Sequence, residues 1–342
     1  MPVHYRSEDE DSRRWEAFAF RDGDIVVSTR SKHGTTWVQS ILLHLVHGPD
    51  GLPDRLAVLS PWLDARFEPL EEVCARLTAQ QHRRVIKTHT PLDGLTLDPR
   101  ATWVVVARDP LDAAVSLYHQ GHNLDRSRMR ELAAANDGKS APPTPPSTPP
   151  APPSTLSSPP APPASPAPPA SPAPSASPAP SAPPAPQPSP PAPRPPADEW
   201  LRSWAAMRAD PVSSMDSLDG VLHHYADAWQ RRRDTNVVLV HFNDLLADLG
   251  GEVARLAAAT HMEVGRDRVD EVATVSTFGA MRQRAEQLAP DPSDVLLDRA
   301  AFFRRGAPGA GRELLDDDEL AAYHARVRDQ VPTDLADWLL RT

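Results

Sequence analysis

Cysteine is almost missing from this chain: Cys74 is the only one in 342 residues. No intramolecular disulfide framework can form, and nothing points to an oxidising compartment. Long apolar runs are missing as well. No stretch approaches the ~20 consecutive apolar residues that cross a bilayer. The charged opening, MPVHYRSEDEDSRRW, has no apolar signal-peptide core. Positive charge is in deficit, with a formal net charge of -10, which argues against nucleic acid as the main partner. Any anion site must therefore be a local basic pocket in an acidic protein. No His, Cys and carboxylate cluster has metal-ligand spacing, so no metal is expected. The expectation is a soluble, cytoplasmic protein without a transmembrane segment, in which transient contact with a membrane surface stays open.

Proline, by contrast, is abundant. There are 41, most of them between Ala141 and Ala197 in repeats such as APPASPAPPASPAP. Each proline lacks an N–H and pushes the residue before it out of the α region. Residues 137–197 are therefore expected to be a polyproline II-like or disordered insertion. It would serve as a tolerated spacer or, through PxxP-like spacing, as a docking segment for aromatic grooves. The flanking stretches, 1–136 and 198–342, are the N-terminal and C-terminal parts of one domain, long enough together for a sizeable core.

Outside the insertion the hydrophobic pattern alternates between strands and helices. Strands are expected at 24–29, 83–88, 102–107 and 236–242, with near-continuous apolar runs of the kind seen in a parallel sheet covered on both faces. Apolar residues at Trp37, Val38, Ile41, Leu42, Leu45 and Val46 form one helical stripe that Gly48-Pro49 ends. Further helices are expected at about 69–81, from Pro110 onward, at 218–233, 245–260 and 269–275, and from the acidic run at Asp316. Residues 13–20 are left open between a short helix and an edge segment. This is an α/β fold, a three-layer domain with a central, mainly parallel sheet and ligands at the carboxyl ends of its strands.

Three strand ends carry polar residues. The first runs into STRSKHGTTW, where a tight turn at Gly34 precedes a helix. That arrangement offers backbone N–H groups and the positive helix end to an anion. Lys32 adds a mobile charge, and Thr35 and Thr36 add hydroxyls. A Walker A loop places Lys after its last Gly, whereas Lys32 precedes Gly34. The second strand ends in Lys87-Thr88-His89, and the third in Arg108, with Ser116 about two helical turns on.

With these motifs together, the chain resembles the P-loop-like sulfotransferases that use 3'-phosphoadenosine 5'-phosphosulfate (PAPS). SKHGTTW resembles their phosphosulfate loop, commonly PKSGTTW. VIKTHTP resembles their catalytic segment, VVVARDPLDAAVSLYH their 3'-phosphate segment, and FFRRG their FxRKG element. The four matches keep family order and spacing from about Asp22 to Arg312. SPWLDARFEPLEEV, QQHRRVIKTHTPLDGL and RDPLDAAVS are most similar to the actinobacterial glycolipid-sulfotransferase type.

The resemblance implies sulfuryl transfer from PAPS, without a metal, to a hydroxyl of a small-molecule, lipid or glycolipid acceptor. It implies that His89 is the general base, that Lys32 contacts the phosphosulfate bridge and that Lys87 holds the transferred sulfonate. Gly34, Thr35 and Thr36 would cradle the 5'-phosphate. Arg108, Ser116 and the turn Arg304-Arg305-Gly306 would bind the 3'-phosphate, and Trp37 and Phe278 would flank the adenine. Read without the family, Trp37 and Phe278 fit plain core equally well, and Arg108 can simply pair with Asp109 or Asp112. His119 and His122 lie near the third motif as candidate acceptor-pocket residues, while His44, His47, His223 and His224 read as structural or exposed.

The chain departs from the family pattern at several positions. His33 replaces the usual Ser, and Arg30-Ser31 replace the usual residues before Lys32. A histidine beside Lys32 is expected to add competing positive charge at low pH. His223 stands where relatives place an adenine-contacting Tyr, with Tyr225 close by. Ala310-Gly311 replace the usual Asp-Trp after Gly309, so a looser 3'-phosphate turn is expected. Oligomeric state stays open. The rival readings are a P-loop kinase or nucleotide-binding protein, and a catalytically silent scaffold built around the proline-rich segment.

Overall fold

The computed structural model of the protein describes residues 1–137 and 194–341. The expectation of a disordered insertion lies, for 138–193, outside the described residues. At its edges the expectation is corrected. Asp137 is the last residue of the helix Arg126–Asp137, and Ala197 is the first of the helix Ala197–Ala206. Asp198 and Glu199 in the first turn of that second helix complement the positive end of its dipole.

Four strands form one parallel sheet: β1 (Ile25–Ser28), β2 (Val85–Thr88), β3 (Thr102–Ala107) and β4 (Val237–His241), in the order β2-β1-β3-β4. The register sets Ser28 beside Thr88 on one side and Val105 on the other, and Ala107 beside His241. β4 comes from the C-terminal part of the chain, so both parts build one sheet. Strand residues alternate between two cores. Val26, Ile86, Trp103 and Val105 pack on one face with Leu77, Leu218, Tyr225 and Leu335. Val27, Val85, Val104 and Val106 pack on the other with Ile41, Leu42, Leu256 and Val272. Burial on both faces explains why the strands read as continuous apolar runs.

The helices mostly follow the periodicity. Thr35–His47 (α1), Leu70–Ala79, Pro110–Gln120, Leu218–Gln230 and Arg266–Val275 all appear. The helix expected at 245–260 is split into Phe242–Ala247 and Leu249–Ala259. Asp248 ends the first and caps the second, accepting from the Gly251 N–H at 2.8 Å, a competition for backbone that short acidic side chains favour. Of the two readings left open for residues 13–20 the short helix holds, as the 3-10 helix Ser12–Ala17. The acidic run closes a capping box, with Asp316 accepting from the Glu319 N–H and Glu319 accepting from the Asp316 N–H. Among the described residues no helix is long and apolar enough to cross a membrane.

Candidate active site

A cavity of about 210 Å³ opens at the carboxyl ends of β1, β2 and β3. Lys32, Gly34, Thr35, Thr36, Trp37, Lys87, His89, Arg108, Ser116, Phe278, Arg304, Arg305 and Gly306 all line it. Every residue assigned to catalysis or to the donor from sequence thus reaches one cleft. The topology makes this possible, because the central strand β1 delivers the loop while β2 and β3, its neighbours on either side, deliver the other two clusters.

The loop after β1 is left-handed twice. Lys32 has φ 68° and Gly34 has φ 115°. For Lys32 that conformation costs on the order of 1 kcal/mol. At Gly34 a Cβ would sit 3.2 Å from Val106 Cγ1, so only glycine lets the chain turn here against the sheet. Gly34 caps α1 without a side chain and its carbonyl accepts from the Trp37 N–H at 3.0 Å, so the first-turn N–H groups left without an intrahelical acceptor are those of Thr35 and Thr36. They stand at the cavity wall beside Lys32.

Lys32 is half-buried, with its Nζ 3.7 Å from the centre of the Phe302 ring. Its pKa is lowered to about 7, first by burial and then by Arg108, Arg304 and Lys87. All three of these neighbouring charges are positive. Lys87 is buried against Trp62, 4.3 Å from the ring centre. Its pKa is lowered to about 8 by burial, an effect that Asp64, Glu10 and Glu68 partly oppose. Trp62 is held there because its short segment pairs with β2, the Lys87 N–H donating to the Pro61 carbonyl at 3.0 Å.

His89 follows β2 directly. Its Nδ1 bonds to the Thr29 carbonyl, and its ring meets Trp62 edge to face, with centroids 4.6 Å apart. A carbonyl oxygen only accepts, so Nδ1 carries the proton and Nε2 keeps the lone pair. Burial, then Lys87 and Arg30, hold the imidazole well below the usual histidine range. It is a neutral ring with one free basic nitrogen.

Arg108 lies 3.5 Å from Ser116 Oγ and 3.6 Å from Asp112, and it donates to the Ala307 carbonyl at 3.0 Å. Its pairing with Asp112 was one of the plain alternatives read from the sequence, and it coexists with the Ser116 contact. Nε of Arg108 remains a buried donor without a partner among the described residues. The FFRRG turn divides its two arginines: Arg305 is forked onto Glu313 at 2.6 and 2.7 Å, whereas Arg304 makes no ion pair among the described residues. Gly306 has φ 69°, and a Cβ there would lie 2.3 Å from Phe278 Cγ. Gly306 and Phe278 thus pack directly together at the cavity edge. Trp37 donates from Nε1 to the Ser276 carbonyl at 2.8 Å and meets Phe242 edge to face. Both sequence readings of Trp37 apply, because it packs in the core and also lines the cleft.

Two expectations are corrected. His33 does not face Lys32 across the cleft. It is 2% exposed, its Nδ1 lies 2.9 Å from the Ser31 carbonyl, its ring packs edge to face on Tyr225, and burial lowers its pKa to about 4. A plugged, neutral histidine adds no competing charge. His223, read from sequence as structural or exposed, lies outside the cleft, as does Tyr225. His223 bonds to the Tyr5 hydroxyl and to Asp93, and Tyr225 donates to the Val106 carbonyl. The turn after Gly309 is tied rather than loose, since Asp112 accepts from the N–H groups of Gly309 and Gly311 at 2.8 and 2.9 Å. Of the two flanking histidines, His119 lines the cavity and His122 does not.

The sequence reading missed the far half of the cavity. Beyond Trp62 the wall is apolar, with Phe67, Leu124, Met129, Val295 and Leu296, and a rim ion pair between Arg126 and Asp9 at 2.8 Å. These residues come from the segments around Phe67, Leu124 and Val295 and from the helix Arg126–Asp137, far apart in sequence, so only the fold unites them. Among the described residues no group of His, Cys and carboxylate side chains is arranged to hold a metal ion.

A fold with an anion-seeking cleft of this kind defines a class, and the comparisons agree with it. The sulfotransferase domain family matches residues 22–164 and 189–333, and the chain belongs to that family. Among its relatives, a glycolipid sulfotransferase of Mycobacterium bovis is 38% identical over 98% of this chain and 93% of its own length. One from Mycobacterium tuberculosis is likewise 38% identical, over the same shares. Of solved structures, a mouse sulfotransferase complexed with PAP aligns with a TM-score of 0.59 at 16% identity, covering 95% of this chain and 90% of its own. Retinol dehydratase complexed with androsterone and PAP aligns with 0.55 at 15% identity, covering 94% and 84%. These two show the fold.

Proposed function

We propose that this sulfotransferase moves a sulfuryl group from PAPS to a hydroxyl of a lipid or glycolipid acceptor. The observation that carries this reading is Lys32, a half-buried cation that shares the cleft with Lys87, Arg108 and Arg304, whose charges act with burial to lower its pKa. A cluster like this is stabilised only by an anion that brings its own charge. Arg108 and Arg304 sit on the same wall, the first with its Nε unpartnered and the second without an ion pair among the described residues, and are the residues to hold a second phosphate. The helix N-terminus at Gly34, Thr35 and Thr36 suits the first.

When bound, the donor supplies a sulfuryl group whose bond to the phosphate oxygen breaks as the acceptor oxygen bonds to sulfur. His89 takes the hydroxyl proton at Nε2, the nitrogen left free by the Thr29 contact. Lys32 neutralises charge on the departing phosphate, and Lys87 holds the sulfonate oxygens. A bound anion also raises the depressed pKa of His89 and strengthens it as a base at the moment it is needed. Trp37 and Phe278 border the adenine. The apolar wall from Trp62 to Leu296 suits the lipid part of an acceptor, in line with the names of the mycobacterial relatives.

Incubating the full chain with sulfate-labelled PAPS and a lipid extract, then identifying labelled products by mass, tests this reading. A labelled sulfolipid is expected. His89→Ala should lower turnover by on the order of 10³-fold while PAP binding persists. Label only in water-soluble metabolites would contradict the acceptor class, and full turnover in His89→Ala would contradict the base.

A further inference from the structure

Arg30 is a departure from the family pattern that the proposed chemistry leaves unexplained. Its side chain is 2% exposed, yet it reaches three separate parts of the chain. One guanidinium N–H bonds to the His89 carbonyl. Glu10, in the N-terminal segment, accepts from both terminal nitrogens at 3.2 Å. Asp216, which follows the helix Ala197–Ala206 and lines the cleft, accepts at 2.9 and 3.3 Å. A fixed planar fork can meet three acceptors at once, which a lysine cannot.

The adjacent residue completes the pattern. Thr29 takes the ring N–H of His89, and Arg30 takes the backbone carbonyl of the same residue. Two consecutive residues of the donor loop thus grip both ends of the residue read as base. We propose that Arg30 is a positioning residue that fixes His89 relative to the donor loop, so that the base and Lys32 move as one unit. This rests on the reading of His89 as base. In the same way, Asp216 and Glu10 hold the guanidinium in place, and Arg30 ties the N-terminal segment to the cleft.

The charge balance shows how to test it without unfolding the protein. Glu10 is buried, with one oxygen unpartnered, and its pKa is raised to about 8 by burial even beside Arg30. Removing Arg30 alone would leave that carboxyl buried without its cation. Arg30→Met is therefore combined with Glu10→Gln, which removes one charge of each sign and leaves the net charge unchanged, while Asp216 retains contact with solvent. Arg30→Lys serves as the conservative partner.

The test uses the full chain labelled with 15N-histidine, with the His89 resonances assigned by their loss in His89→Ala. The wild type is expected to show the Nδ1–H tautomer. In Arg30→Met/Glu10→Gln the tautomers should exchange, and kcat should fall on the order of 10²-fold, the cost of misplacing a reacting group by about 1 Å. The affinity for PAP should stay within about threefold, and Arg30→Lys should restore part of the rate. A fixed Nδ1–H tautomer with unchanged kcat in the double variant overturns the proposal. Loss of PAP binding in step with kcat overturns it too, since Arg30 would then be merely structural. A mobile tautomer at full turnover upholds the positioning and overturns only the reading of His89 as base.

Discussion

At the scale of single residues, the site is defined by cations held away from their ordinary state. Lys32 and Lys87, lowered to about 7 and about 8, carry much less charge at pH 8.5 than exposed lysines do. An anion bound between them favours the protonated forms, so binding takes up protons. PAP affinity should therefore fall as pH rises above about 7, approaching tenfold per unit for each lysine involved. Calorimetry in buffers of different ionisation enthalpy should show proton uptake at pH 8, and a pH-independent affinity from 6.5 to 9 would contradict it. The sign for stability is opposite. Between about 7 and about 10 the unfolded chain holds protons that the folded lysines have lost, so their contribution to stability without ligand grows with pH. Residue identity was legible in the sequence because these side chains follow strand ends within short motifs. Orientation was not. His33 sits beside Lys32 in the chain yet turns toward Tyr225, because the left-handed turn at Lys32 and Gly34 sends neighbouring side chains to opposite sides.

At the scale of elements, the strand-turn-helix units were readable from their apolar runs, and Thr102–Ala107 has the bounds expected of it. What stayed hidden was the tie between the third unit and the C-terminal loop. Asp112, in the first turn of the helix after β3, reads as an ordinary helix-start acid. In the fold it accepts from the N–H groups of Gly309 and Gly311 and faces Arg108, doing what the missing Asp-Trp left in question. Asp112→Ala should free this loop and weaken PAP binding about tenfold, or about 1.4 kcal/mol, measured by titration. An unchanged affinity would show that Arg304 and Gly306 are held in place without Asp112. The helix Arg126–Asp137 was also missed, because its few apolar residues, such as Met129 and Leu132, give a weak stripe.

At the scale of the whole molecule, two stretches separated by the proline-rich repeats meet in one sheet, β4 pairing with β3 along five residues. That meeting brings the FFRRG turn over the ends of β1 and β3 and closes the anion site. The family was legible because its motifs are short and local. The far, apolar half of the cavity was not, because Phe67, Met129 and Val295 share no spacing and meet only through tertiary packing. The central claim, a cleft built for a nucleotide with phosphates at both ends, has one direct test. Isothermal titration of the full chain with PAP, adenosine 5'-monophosphate and ATP at pH 7 compares the ligands on one scale. The account predicts saturable PAP binding at least tenfold tighter than either competitor, through Arg108 and Arg304 on the 3'-phosphate. ATP binding as tightly as PAP, or more tightly, would contradict it.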